Sequence, residues 1–91
     1  MVPLEIMKFY YTYVLKSLKD GTLYTGVTSD LRKRLKQHNN GESSFTKGRR
    51  PYALIYYEAC MSKEKSELRE KYLKTGMGKR YLKNRLGVSY L

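Results

Sequence analysis

The segment FYYTYVLKSLKDGTLYTGV, residues 9–27, decides the fold because it predicts a β-hairpin. Its first part, residues 9–15, is rich in aromatic and β-branched side chains, which is typical of a strand. The pair Asp20-Gly21 is a turn signal, and residues 23–27 then predict the strand that returns. The chain is therefore expected to begin with two antiparallel strands.

Downstream of the hairpin, the sequence predicts a helix and a third strand. Asp30 is a suitable N-cap for a helix over residues 31–39, which the sequence Asn-Asn-Gly at 39–41 ends. Residues 42–50 are polar and predict a loop. Residues 52–59, with the sequence YALIYYEA, predict the third strand.

Two more helices are predicted in the C-terminal third, over residues 62–75 and 79–86. The first of them has an apolar stripe, which consists of Met61, Leu68 and Tyr72. Gly76 and Gly78 are expected to break the chain between the two helices. The predicted class is α+β: a three-stranded antiparallel sheet flanked by helices, in the order β-β-α-β-α-α, forming one domain over residues 1–91.

The charge of the chain is strongly unbalanced, with 19 Lys and Arg against 8 Asp and Glu and a net charge of +11. Too few acids are present to pair with these cations inside the fold, so most of them must lie on the surface. Nucleic acid and anionic membrane are the usual partners of such a surface, and an aid to solubility is the alternative. No apolar run reaches membrane-spanning length, and no specific feature supports an amphipathic helix on a membrane surface, so nucleic acid is the expected partner. The cations expected to hold it are Lys47, Arg49, Arg50, Lys79 and Arg80.

The low numbers of cysteine and histidine exclude an internal disulfide and one kind of zinc site. Cys60 is the only cysteine, so no disulfide can form within the chain, and a reducing, cytoplasmic location is expected. With one Cys and one His in the sequence, a zinc site built from Cys and His is excluded. The first residues also lack the pattern of a signal peptide.

The helix over residues 31–39 places an arginine beside its apolar side. At about 100° per residue, Arg34 and His38 fall in the same arc as Leu31 and Leu35. A cation that is turned towards the core needs a partner. A bound phosphate would be such a partner, because the guanidinium group matches phosphate oxygens. There are two alternatives: Arg34 pairs with an internal carboxylate, or its long side chain extends until the charged end reaches water.

The hairpin resembles the signature of the GIY-YIG nuclease family. The tripeptide YTY at 11–13 stands where the family has Gly-Ile-Tyr, and YTG at 24–26 stands for Tyr-Ile-Gly. The two key tyrosines, Tyr13 and Tyr24, are retained, whereas the first glycine and the second isoleucine are replaced. Some members carry a lysine after the second glycine. Here that residue is Val27, so the resemblance implies no catalytic lysine at this point.

The resemblance continues through the helices and covers roughly residues 8–86. Arg34 and His38 match the family's helix arginine and the His or Tyr that follows one turn later. Glu70 stands where the family has its metal-binding glutamate. Asn84 matches the family's late asparagine, and we group it with the residues expected to bind DNA.

The resemblance implies an endonuclease that hydrolyses DNA phosphodiester bonds with a divalent ion, Mg²⁺ or Mn²⁺, held by Glu70 and waters. Arg34 would hold a non-bridging phosphate oxygen. Tyr13 would be the general base, with Tyr24 and His38 ordering water and phosphate. Nearby positive charge is expected to favour the phenolate of Tyr13, and His38 could relay the proton instead. The sequence leaves open which of these two residues is the base.

Periodicity alone does not identify the metal ligand. It places Glu70 near Leu73 and away from the apolar stripe, and it does not prefer Glu70 over Glu67 or Glu64. Only the resemblance selects Glu70. The assignment therefore needs the positions of the three carboxylates in the folded chain.

The family also includes the nuclease domain of the excision-repair incision subunit and endonucleases that cut branched DNA. The resemblance therefore implies structure-selective cleavage of branched or damaged DNA in repair or recombination, with a protein partner or a homodimer to cut both strands. The alternative is a non-catalytic nucleic-acid-binding module that keeps the nuclease fold. The joint presence of Tyr13, Arg34 and Glu70 counts against it.

Overall fold

The computed structural model describes Pro3 and residues 7–87. It is an α+β fold in the predicted order β-β-α-β-α-α, with a short 3-10 turn before the third strand. The strands are β1 (Tyr10–Ser17), β2 (Leu23–Thr28) and β3 (Tyr52–Cys60). The helices are α1 (Leu31–Asn39), α2 (Lys63–Leu73) and α3 (Gly76–Leu86). The 3-10 turn, Lys47–Arg49, lies in the loop predicted over residues 42–50.

The three strands form an antiparallel sheet in the order β2-β1-β3, with β1 in the centre. Tyr13 on β1 lies opposite Gly26 on β2 and opposite Tyr57 on β3. Successive residues of a strand point to opposite faces, so the residues of β1 supply both layers of the core. Tyr13 and Leu15 are buried on the face that α1 covers, and Val14 is buried on the other face.

Two small cores hold the helices against the sheet. On one face, Tyr13 and Leu15 pack with Tyr52 of β3 and with Leu31 and Leu35 of α1. On the other face, Val14 packs with Leu73 of α2 and Leu82 of α3. The sheet is therefore the middle of three layers. No helix in the part of the chain that the structure describes is long and apolar enough to cross a membrane.

Helix α1 has the ends that the sequence predicts. The Asp30 carboxylate accepts a hydrogen bond from the backbone N–H of Lys33 at 3.1 Å, which satisfies one of the free donors of the first turn. The helix ends at Asn39, with Asn40 as the C-cap. Gly41 follows with a φ of 77°, in the region that glycine adopts most readily.

The predicted apolar stripe of α2 is wrong for two of its three residues, because only Tyr72 packs against the core. Met61 and Leu68 are 59% and 49% exposed, and the buried residues of the helix are Ser66 and Leu73. The small Ser66 lies against β1, where the Thr12 hydroxyl donates to the Ser66 carbonyl at 3.0 Å. A polar contact therefore fixes the rotation of this helix. It could not be recognised from the spacing of apolar residues.

The predicted break at residues 76–78 is also wrong, because α3 begins at Gly76 and contains both glycines. Thr75 is the N-cap, and its hydroxyl accepts from the Gly78 N–H at 3.1 Å. Gly78 is buried against the backbone of Tyr72 and Leu73, where a Cβ atom would clash. This glycine therefore lets the start of α3 approach the end of α2 closely.

Candidate active site

The side chain of Tyr13 extends across Gly26 of the neighbouring strand towards the edge of the sheet. A Cβ atom built on Gly26 would lie 2.5 Å from the Tyr13 hydroxyl oxygen and 2.7 Å from Cζ. The ring of Tyr13 therefore lies over the backbone of its partner residue on β2, which leaves no room for a side chain. Since β2 is the outer strand on this side, the Tyr13 hydroxyl is carried towards the sheet edge.

The Tyr13 hydroxyl group forms a hydrogen bond with His38. The Tyr13 oxygen lies 2.8 Å from Nε2 of His38, and Thr46 Oγ1 lies 2.7 Å from Nδ1 of the same ring. His38 is fully buried, and the rings of Tyr24 and Tyr52 lie 5.0 and 6.4 Å from it, centroid to centroid. Both nitrogens of the imidazole thus have a partner inside a box of aromatic rings.

The environment keeps His38 neutral. Burial, reinforced by the nearby charge of Arg34, lowers the pKa of His38 from 6.5 to about 4. At neutral pH the ring therefore carries one proton, which is on either Nδ1 or Nε2. Its hydrogen bonds to Thr46 and Tyr13 are complementary, because the nitrogen without the proton must accept from the hydroxyl beside it.

Arg34 lies half-buried next to the same tyrosines, as the helical wheel predicted. Its guanidinium group is close enough to Tyr13 and Tyr24 to interact with both phenol oxygens. Its Nη1 donates to Oε1 of Gln37 at 3.1 Å. Among the described residues, no Asp or Glu forms an ion pair with it. An internal carboxylate therefore does not explain the position of Arg34, and its guanidinium group remains suited to an external anion.

Arg34 lowers the pKa of Tyr13, as expected, but burial decides the net direction. Burial raises the pKa of Tyr13 above 10 and outweighs the neighbouring Arg34, which acts to lower it. Tyr24 and Glu70 add smaller effects that also raise this pKa. Tyr13 is therefore a protonated phenol in this structure and must lose its proton before it can act as a base.

Glu70 is the carboxylate that α2 brings near these phenols. Its effect on the pKa of Tyr13, which adds to that of burial, places it within electrostatic reach of the cluster. The side chain is 25% exposed and accepts from Nζ of Lys74 at 2.9 Å. Helix α2 turns Leu73 into the core, which places Glu70, three residues earlier, beside the β2 edge.

Most other carboxylates in the described chain are engaged elsewhere or lie in solvent. Glu58 accepts from Arg69 at 2.8 Å on the opposite part of the molecule, and Asp20 pairs with Arg49 at 3.1 Å. Within residues 7–87, no three His, Cys, Asp or Glu side chains cluster as a metal cage. An ion held here would therefore depend on one protein carboxylate, with waters and substrate oxygens as its other ligands, which suits Mg²⁺ or Mn²⁺.

The residues predicted to bind DNA are exposed but do not join this cluster. Arg49 pairs with Asp20, and the Nε of Arg50 donates to the Lys47 carbonyl at 2.9 Å. Lys79 lines a cavity that also borders Tyr24. The exposed set is Lys47, Arg49, Arg50, Lys79, Arg80 and Asn84.

Three contacts at the site were missed by sequence reasoning. Thr46 holds His38 from the loop after α1, and Gln37 holds Arg34 from the same helix. Asn39 fixes the start of β3, since its side chain accepts from the Tyr52 N–H at 2.7 Å and donates to the Tyr52 carbonyl at 3.1 Å. The contacts of Thr46 and Asn39 follow no period, so the sequence offered no signal for them, whereas the i, i+3 spacing of Arg34 and Gln37 could have indicated theirs.

The model of the GIY-YIG catalytic domain matches residues 9–84. The chain belongs to the GIY-YIG family. This is a nuclease family, and its members generally use a divalent metal ion. The two tyrosines of its signature, Tyr13 and Tyr24, are those that lie beside His38 and Arg34 in this structure.

Small GIY-YIG relatives align over most of this chain. A UPF0213 protein of Clostridium perfringens is 48% identical over 65 residues, which cover 70% of this chain and 69% of that protein. A UPF0213 protein of Staphylococcus saprophyticus is 42% identical over 78 residues, which cover 85% and 94%. The solution NMR structure of a UPF0213 protein from Bacillus halodurans matches with a TM-score of 0.54 and 35% identity, covering 90% of this chain and 89% of that one. The α+β fold is thus confirmed by a solved relative.

Proposed function

We propose that this GIY-YIG chain is an endonuclease that hydrolyses phosphodiester bonds of DNA with the help of a divalent ion. The observation that carries the proposal is the convergence of Tyr13, His38 and Arg34 at the β2 edge, with the Glu70 carboxylate in electrostatic reach. These four side chains come from one strand and two helices. They match the groups that phosphodiester hydrolysis requires.

Arg34 is the residue that would bind the scissile phosphate. It lacks a carboxylate partner among the described residues, and its half-buried guanidinium group interacts with the Tyr13 and Tyr24 phenols. A guanidinium group donates two parallel hydrogen bonds to phosphate oxygens and keeps its charge at every relevant pH. Arg34 would therefore both place the phosphate and stabilise the negative charge that grows on it.

The Tyr13–His38–Thr46 chain would handle the proton of the attacking water. With the imidazole proton on Nδ1, His38 donates to Thr46 and accepts from Tyr13 through Nε2. Tyr13 can then take a proton from water while it passes its own to His38. With the proton on Nε2, His38 instead donates to the Tyr13 oxygen, and it would stabilise a phenolate base once the Tyr13 proton has passed to solvent water. A phosphate bound to Arg34 favours the first route, because burial and the Arg34 charge both lower the pKa of His38 and the phosphate offsets the second of these.

Glu70 would hold the divalent ion. Its oxygen donors, its partial exposure and the absence of a metal cage elsewhere in residues 7–87 fit an ion that keeps several waters. When bound, such an ion supplies positive charge to the phosphate and to the leaving oxygen. Lys74 now pairs with the carboxylate and would have to move aside.

The substrate we propose is branched or damaged DNA, in repair or recombination. The exposed cations, together with a net charge of +11, favour contacts to phosphates, whose strength falls steeply with added salt. No helix of the described chain has the layout of a base-reading element. Recognition through DNA shape follows from these two properties.

The proposal is tested by incubating the protein with supercoiled plasmid and with branched DNA, in Mg²⁺, in Mn²⁺ and in EDTA. Metal-dependent nicking that Tyr13→Phe abolishes supports the enzyme. The matched control is Tyr57→Phe, because Tyr57 faces Tyr13 across β1 and β3 and is 52% exposed. Tight binding of DNA without cleavage in any metal would reject the proposal in favour of a non-catalytic module.

A further inference from the structure

A cavity of about 220 Å³ lies beside the candidate active site, between β2 and the helices α2 and α3. It adjoins the site at two points, because Tyr24 borders it and so does Lys74, the partner of Glu70. Its lining residues are Leu23, Tyr24, Thr25, Leu73, Lys74, Lys79 and Leu82. A molecule in this cavity would therefore contact Tyr24, which also interacts with Arg34.

The lining combines an apolar wall with cations. Leu23, Leu73 and Leu82 supply three leucine side chains, and Lys74 and Lys79 are exposed ammonium groups at the same cavity. An apolar wall beside two cations is complementary to a flat, weakly polar ring that is attached to an anion. A nucleotide has this composition, since its base is a ring with apolar faces and its phosphate is negative.

We propose that this cavity binds the base of one unpaired nucleotide next to the scissile phosphate, with Lys79 contacting a phosphate of the same strand. The inference rests on the proposed nuclease function and names the class of DNA that the site prefers. A cavity of 220 Å³ is smaller than the roughly 300 Å³ of the smallest pockets that enclose drug-sized ligands, which favours a single base.

Only an unpaired base can enter such a cavity at a low cost in free energy. A base inside a duplex must first lose its pairing and stacking, which costs a few kcal/mol, whereas a base in a flap, bulge or single strand has lost most of both. DNA with an unpaired nucleotide at the cut position should therefore bind more tightly than fully paired DNA. The branched DNA proposed above offers such nucleotides at its junctions.

The experiment measures binding rather than cleavage, so that its outcome is independent of the nuclease activity. The full chain carrying Glu70→Gln is titrated into two DNA duplexes, one with a bulge and one fully paired. Each carries 2-aminopurine, at the bulge or at the equivalent paired position. The fluorescence of this base reports its surroundings, and anisotropy of a distant label gives Kd.

Two lysines on α3 provide a matched pair of variants. Lys79 lines the cavity, whereas Lys83, which is also exposed, lies one turn further along α3 and does not. Lys79→Ala is expected to reduce the preference for bulged DNA about tenfold, the size of one lost base or phosphate contact. Lys83→Ala should weaken the binding of both DNAs equally. Leu23→Trp, which fills the cavity from a 36% exposed position, should remove the preference as well.

The inference is overturned if 2-aminopurine fluorescence in the bulge does not change on binding, or if Lys79→Ala and Lys83→Ala have the same effect on both DNAs. Circular dichroism of each variant verifies that it is folded. A wild-type protein that captures the bulged base but never cuts DNA would contradict the nuclease and keep the subsite. A protein that cuts DNA without base capture would contradict only the subsite.

Discussion

Nε2 of His38 lies 2.8 Å from the hydroxyl oxygen of Tyr13, inside a layer of the core where the histidine is fully buried. The pair joins β1 to α1 across 25 residues of sequence. Because burial and Arg34 both disfavour the charged ring, this contact links the protonation of one side chain to the stability of the fold.

The first prediction concerns pH. The folded pKa of His38, about 4, lies below its ordinary value of 6.5, so the unfolded chain binds this proton more tightly between those two values. The free energy of unfolding should therefore be insensitive to His38 above pH 6.5. It should fall by up to about 3 kcal/mol as the pH drops from 6.5 to 4, and this contribution levels off below that.

The measurement is a series of urea denaturations from pH 7.5 to 4.5, with His38→Gln for comparison. The variant should show a flatter pH dependence than the wild type, whatever its absolute stability. Since the chain has one histidine, ¹H NMR titration of its ring signal gives the folded pKa directly. A midpoint near 6.5 would contradict the buried, neutral histidine.

The second prediction concerns Thr46, which holds Nδ1 of His38. Thr46→Val keeps the shape of the side chain but leaves a buried ring nitrogen without a partner, which costs about 1–3 kcal/mol. The cleavage rate should fall about tenfold or more with an unchanged KM for DNA, because the imidazole is no longer oriented towards Tyr13. Thr46→Ser retains the hydroxyl and should restore the rate. Equal rates for Thr46→Val and wild type would remove His38 from the reaction.

The third prediction concerns Gly26, over which Tyr13 lies. Gly26→Ala puts a methyl group 2.5 Å from the Tyr13 oxygen, so the phenol must leave His38. Loss of cleavage and a destabilisation of about 1–3 kcal/mol are expected from such crowding. The control is Gly48→Ala, because a Cβ at Gly48 meets no atom within 4 Å. A fully active Gly26→Ala protein would show that the position of Tyr13 is unimportant.

The fourth prediction concerns Lys74, which forms an ion pair with the Glu70 carboxylate. An exposed ion pair of this spacing contributes about 0.3–0.5 kcal/mol, so Lys74→Met should lower the Mg²⁺ concentration for half-maximal cleavage about twofold. Lys71→Met, at an exposed position in the last turn of α2, is the control for the loss of one charge. A higher Mg²⁺ requirement in Lys74→Met would mean that Lys74 assists the ion instead of competing with it.

The sheet and the first helix could be predicted from the sequence because local signals determine them. The aromatic run of β1, the Asp20-Gly21 turn and the Asp30 cap each act within a few residues. The rotation of α2 could not be predicted, because it depends on Ser66 contacting Thr12, which is 54 residues away. The start of α3 was missed for a similar reason, since Gly78 is required by close packing rather than by a break.

The candidate site was predictable only in part. Periodicity turned Arg34 and His38 towards the apolar side of α1, and the structure has them there. Thr46 could not be identified, because a loop residue has no period that ties it to a helix. The direction of the Tyr13 pKa could not be foreseen either, since it depends on a balance between burial and the Arg34 charge that only coordinates define.

The most direct test of the proposed active site compares two glutamates of α2. Single-turnover cleavage of branched DNA is measured over a range of Mg²⁺ concentrations for Glu70→Gln and for Glu67→Gln, since Glu67 is exposed and lies one turn earlier. The expected result is a loss of at least about 10²-fold in rate for Glu70→Gln, as befits removal of several kcal/mol of charge stabilisation. Glu67→Gln should cut at the wild-type rate. Wild-type cleavage by Glu70→Gln would contradict the assignment of the metal to this cluster.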